Sequence, residues 1–114
     1  MEKITNYRNI IKNIFKEYAA TRIPANDSNP GYQLIFDETG EHYMLYRTSW
    51  KEELLRVHFC VFHIDIINDK LWVQEDATDY DLVGVLEENN IPKEDIVLAF
   101  HAPYKRPYTG YAVA

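Results

Sequence analysis

Cysteine is almost missing from this chain. Cys60 stands alone among 114 residues, so no internal disulfide can form, and no Cys/His pair has the spacing of a zinc site. Glycine is scarce and scattered: the four glycines stand singly at 31, 40, 84 and 110, which excludes a glycine-rich phosphate loop. No apolar run nears the roughly 20 residues of a membrane span. Lys3, Arg8, Lys12 and Lys16 interrupt the apolar residues from which a signal peptide would be built. A soluble, cytoplasmic protein is expected. Positive charge is also in short supply, with 12 Lys and Arg against 18 Asp and Glu and a net charge of −6. Phosphate backbones repel such a domain, so strong direct nucleic-acid binding is not expected and a protein partner fits better.

Apolar and aromatic residues are plentiful, at 46% and 14%. That is enough for one core, and the length suits a single domain, residues 1–114. Charge is unevenly laid out. The segment Glu75 to Asp95 is strongly acidic, with Lys93 its only base, whereas the N-terminal segment and the C-terminal tail are basic.

Hydrophobic periodicity predicts an amphipathic helix over residues 2–21, with Ile4, Tyr7, Ile11, Ile14 and Tyr18 on one stripe. Pro24, Asn26, Asp27, Ser28, Asn29, Pro30 and Gly31 read as a linker. Four strands follow, Tyr32–Asp37, His42–Trp50, Leu54–Ile66 and Leu71–Gln74. Their turns lie at Asp37–Gly40, where Gly40 can take positive φ, at Lys51–Glu53 and at Ile67–Lys70. Connections this short demand antiparallel neighbours, so the strands form a meander. Thr78 or Asp79 can cap a second helix that buries Leu82, Val83, Val85 and Leu86 and ends at Asn89-Asn90. Pro92, Glu94 and Asp95 start a short helical turn. Ile96–Phe100 is a fifth strand or a buried extended run. The expected fold is α+β: an N-terminal helix, a four-stranded antiparallel sheet, one or two C-terminal helices and an ordered aromatic tail.

Strict alternation along the long strand puts Val57, Phe59, Val61, His63 and Asp65 on one face and His58, Cys60, Phe62, Ile64 and Ile66 on the other. Both faces are then apolar, more than one or two helices can cover, and a homodimer is expected.

The chemistry-bearing residues are few. His63 and Asp65 lie two apart on one strand face and can form an oriented imidazole–carboxylate pair or a hydrogen-bonded core or interface pair. Ser49 and Cys60 have no marks of a nucleophile, and His58 with Cys60 is too few ligands for a metal. No catalytic residue, metal or cofactor is expected. Glu75, Asp76, Asp79 and Asp81 precede the second helix and suit solvated capping. The tail offers His101, Tyr104, Lys105, Arg106, Tyr108 and Tyr111 for binding a partner. Aromatic, proline-rich segments lose little entropy on docking. Alternatively, the two cations pair with the acidic band while the tyrosines close the core.

Several longer runs carry a family resemblance. They are Tyr7-Arg8-Asn9-Ile10-Ile11, Tyr32 to Asp37, His42-Tyr43, Trp50, His63 to Ile66, Lys70 to Asp76, Ile91 to Leu98, Phe100 to Arg106 and Thr109 to Ala114. Over nearly its whole length the chain resembles the XisI family, the excision-controlling factors of the fdxN element described in cyanobacteria. The resemblance implies a small α+β accessory protein, not an enzyme. It implies action with a XisH-like partner in controlling excision by a site-specific recombinase, a developmental DNA rearrangement. It carries over no catalytic residues. Three other readings stand beside it. One is an antitoxin-like inhibitor of a nuclease-like partner. Another is a weak DNA-binding modulator using the first helix and the tail. The third is a small enzyme or ligand-binding domain built on His63, Asp65 and His101.

Overall fold

The computed structural model describes residues 2–22 and 31–114; apart from Gly31, the expected linker lies outside the described residues. In chain order the elements are α1 (Glu2–Thr21), β1 (Tyr32–Asp37), β2 (His42–Lys51), β3 (Leu55–Ile67), β4 (Lys70–Asp76), α2 (Leu82–Glu88), a 3-10 turn (Lys93–Asp95), β5 (Ile96–Leu98) and a terminal 3-10 helix (Pro103–Tyr108). The strands form one sheet in the order β1-β2-β3-β4-β5. The first four are antiparallel, as their short turns require. The fifth strand does form and runs parallel to β4, because the segment containing α2 is long enough to return the chain to the same end of the sheet.

Helix α1 exists because its stripe has something to cover. Tyr7, Ile11, Ile14, Phe15 and Tyr18 are buried against one face of the sheet. Phe62 lies at the centre of this core, its ring 5.4 Å from Phe15 and 4.8 Å from Tyr18, the latter edge-on. The short α2 adds Leu82 and Leu86, both fully buried. Its cap is Asp81, whose Oδ1 accepts from the Gly84 amide at 3.0 Å. Neither Thr78 nor Asp79 serves, because Thr78 is engaged in the preceding turn, where its hydroxyl accepts from the Tyr80 amide at 3.0 Å. Gly84 makes room for the cap: a Cβ there would stand 2.1 Å from Asp81 Oδ2.

Two sequence expectations are corrected by the sheet. In the β1–β2 turn the left-handed residue is Glu41, at φ 61°, not Gly40. Asp37 Oδ1 accepts from both the Thr39 and Gly40 amides at 3.1 Å, which fixes Gly40 inside the turn and passes the reversal to the next residue. The second correction concerns β3. Leu45 faces Phe62 but Tyr46 faces Cys60, so Val61 is an extra residue, a β-bulge. Val61 and Phe62 are consecutive and both buried. The bulge moves Val57, Phe59 and Val61 to the same side as Phe62, Ile64 and Ile66. The other face therefore carries His58, Cys60, His63 and Asp65. The strand is not apolar on both sides, and strict alternation fails at this one residue.

Candidate functional sites: the C-terminal strap and a His-Asp-His cluster

The last segment packs as a strap along the open edge of the sheet. The Ala112 amide donates to the Ile96 carbonyl at 2.9 Å, pairing it beside β5. Arg106 anchors the preceding turn. Its Nε donates to the His101 carbonyl at 3.1 Å, its Nη2 to the Ala99 carbonyl at 3.3 Å, and its guanidinium lies 5.3 Å from the Trp72 ring centre. Gly110, at φ 84°, turns the chain back toward the sheet. Tyr111 then reaches α2, donating to Glu87 Oε2 at 3.0 Å, with Lys93 Nζ 5.6 Å from its ring centre. Lys70 Nζ donates to the Ala114 carbonyl at 2.6 Å.

The two expected roles of the tail thus divide by residue. Arg106 and Tyr111 are internal. Tyr104, Lys105 and Tyr108 face solvent, the tyrosines 72% and 88% exposed, and Lys105 Nζ lies 5.9 Å from the Tyr104 ring centre. His101 is half-buried beside Phe100. Pairing of the tail's cations with the acidic band does not occur: among the described residues neither Lys105 nor Arg106 has a carboxylate partner. Arg106 is claimed by backbone carbonyls instead. The carboxylates before α2 act locally, Asp81 as the cap and Asp76 as acceptor for the Thr78 amide and hydroxyl, and burial raises the Asp76 pKa.

His63 and Asp65 are found together, with a third residue the sequence reading omitted. Asp65 Oδ1 lies 2.8 Å from His63 Nε2 and 2.8 Å from His42 Nδ1, while Gln74 Nε2 donates to Asp65 Oδ2 at 3.3 Å. Each position follows from the sheet. His63 and Asp65 are two apart on β3, and His42 sits directly opposite Asp65 on β2. Gln74 is the unpaired residue of a second bulge, between the pairs His63–Glu75 and Ile64–Val73. Asp65 is buried, and the His42 side chain is 51% exposed. The Asp65 hydrogen bond and charge raise the His42 pKa above its ordinary value. Counting back from the β2–β3 turn alone would set His42 opposite Ile64; the extra residue at Val61 shifts it onto Asp65, so the sequence carried no direct signal for this contact. His101 belongs to a different neighbourhood, at the strap. Partial burial pushes the Cys60 thiol up to about 11, and its Sγ donates to the Phe62 carbonyl.

The cations of α1 are mostly committed to the fold. Lys3 pairs with Asp95 at 2.9 Å, Lys12 pairs with Glu38, and Arg8 grips Glu41 with Nε at 2.9 Å and Nη2 at 2.8 Å.

These features define a class: a small α+β domain whose mixed five-stranded sheet is covered on one side by a long helix and closed at its edge by a C-terminal strap. The chain belongs to the XisI protein family, whose pattern it matches over residues 1–113. A solved XisI-like protein from Anabaena variabilis is 37% identical, with a TM-score of 0.86 over 96% of this chain and 98% of that one. The fdxN element excision controlling factor XisI from the same organism is 35% identical, with a TM-score of 0.80 over 98% of this chain and 99% of that one. No curated protein matches the chain.

Proposed function

We propose that this chain is a non-enzymatic accessory factor in the excision of a genomic DNA element, acting on a site-specific recombinase through a XisH-like partner. The relative named as an excision controlling factor suggests the process. The strap supports the mode of action. Tyr104, Lys105 and Tyr108 project from a stem fixed by Arg106 and Tyr111, so the backbone that presents this aromatic and cationic surface is held before any partner arrives. Aromatic side chains presented on a fixed backbone are the kind that carry binding energy at protein interfaces. Direct grip on DNA is disfavoured, because Lys3, Arg8 and Lys12 face carboxylates and the net charge is −6. Co-expression with a XisH-type protein tests the reading. The expected result is co-purification that falls at least about tenfold in affinity for Tyr104→Ala with Tyr108→Ala. Unchanged binding by that double variant removes the strap from the interface, and no co-purification at all defeats the reading.

A homodimer is supported by a different surface from the one the sequence suggested. Before Phe62, residues 55–61 of β3 have no β4 partner, and the end of the β2–β3 hairpin carries Leu54, 86% exposed, with Leu55 and Phe59 nearby. An unpaired strand edge beside apolar side chains suits antiparallel pairing with a second copy of the same hairpin.

A further inference from the structure

We infer that His42, His63 and Asp65 form a binding site for one divalent first-row transition-metal ion such as Zn2+. Their three donor atoms, Nδ1, Nε2 and Oδ1, all lie within 4.8 Å of one another. Ligands placed about 2.0–2.2 Å from a zinc ion stand roughly 3.5 Å apart in a tetrahedral shell, so the two 2.8 Å nitrogen–oxygen contacts must open by about 0.7 Å to admit an ion, a change within reach of side-chain rotation. Two imidazoles with one carboxylate suit zinc, iron, nickel or copper and not calcium or magnesium, which take oxygen ligands.

Three further observations favour an ion over a plain hydrogen-bond network. First, both imidazoles converge on the same oxygen, Asp65 Oδ1, with 2.8 Å contacts, so one cation could replace two crowded N–H donors. Second, Asp65 is buried, and Gln74 holds its other oxygen, as outer groups do when they orient a ligating carboxylate. Third, Glu75 is paired with His63 across β3 and β4, and Asp37 acts electrostatically on His42, so the local field is negative. The ligands lie on β2 and β3, whose pairing fixes their spacing. Three protein ligands leave at least one coordination position for water or for a side chain from a partner, reached past the half-exposed His42.

The test uses tag-free protein stripped with a chelator. Calorimetric titration with ZnCl2 should show one equivalent bound at micromolar affinity or tighter, and Co2+ should give a visible d–d band. His42→Ala and His63→Ala should each weaken Zn2+ at least about tenfold, while His58→Ala on the same face leaves binding unchanged. Absence of stoichiometric binding, or equal binding by both triad variants, overturns the site. If His63→Ala fails to fold, His42→Ala decides alone, because that side chain is half-exposed. The measurement needs no partner protein, so its outcome is independent of the excision reading.

Discussion

Asp95 joins the first helix to the last third of the chain. It is buried, accepts a hydrogen bond from the Tyr7 hydroxyl and pairs with Lys3. Burial pushes its pKa up, but the bonds from Tyr7 and Lys3, helped by the charge of Lys70, outweigh that and leave it below the usual carboxylate range. The sign follows by linkage. A depressed native pKa gives stability that is fully present above the unfolded value, about 3.9, and is lost as pH falls through the native one. Glu41 acts in the same sense, lowered chiefly by the Arg8 fork. Tyr7→Phe is expected to cost about 1 kcal/mol at neutral pH and to move the acid unfolding midpoint upward. Urea denaturation followed by circular dichroism at pH 7 and across the acid range measures both, and an unmoved acid midpoint contradicts the assignment. At this scale the sequence was only partly legible. The pairing of His63 with Asp65 was open to reading because spacing within a strand is fixed. The partnerships of Asp65 with His42 and of Asp95 with Tyr7 depend on how separate elements meet.

The elements themselves were more legible. Residues 2–21 and 32–37 were read correctly because periodicity and breakers agree there. The bulge at Val61 was hidden, since an extra residue shows only against the partner strand's count. The hairpin turns hold a conflict that physical chemistry can expose. Asn68 and Asp69, at φ 51° and 63°, are residues that tolerate left-handed backbone in a two-residue turn. Glu52 and Glu53 adopt the same signs, 54° and 63°, without that tolerance. Both are exposed, so no packing depends on them. Glu53→Gly is expected to stabilise the fold by roughly 0.5–1 kcal/mol, the relief of strain exceeding the added freedom of the unfolded chain. A thermal melt should shift upward by a few degrees; a downward shift means the turn is not strained.

For the molecule as a whole, charge layout was legible and its use was not. The basic N-terminal segment suggested a surface for weak DNA binding, yet most of its cations tie α1 to Glu38, Glu41 and Asp95. Composition cannot separate a basic surface from a set of internal clamps. The most exposed aliphatic side chains, Leu54 and Leu55, lie at the β2–β3 hairpin end. Sedimentation at micromolar concentration should show a dimer for the wild-type chain, shifted to monomer by Leu54→Asp with Leu55→Lys. A monomeric wild type, or a variant that still dimerises, removes the hairpin from self-association. The overall dimensions, 43 × 31 × 25 Å, describe an elongated body.

The bond from Tyr7 to Asp95 spans 88 positions of the chain. During synthesis α1 emerges before the sheet, with its apolar stripe and Lys3 bare, and Asp95 follows only after β4 and α2. Isolated helices are marginal in water, so the N-terminal segment must wait for the sheet and then for the residues beyond α2 before it is locked. Contacts of such separation slow folding, because the loop must close before any contact rewards it. The helix is thus secured in stages: Lys12 and Arg8 find Glu38 and Glu41 with the first hairpin, and only Lys3 and Tyr7 wait for Asp95.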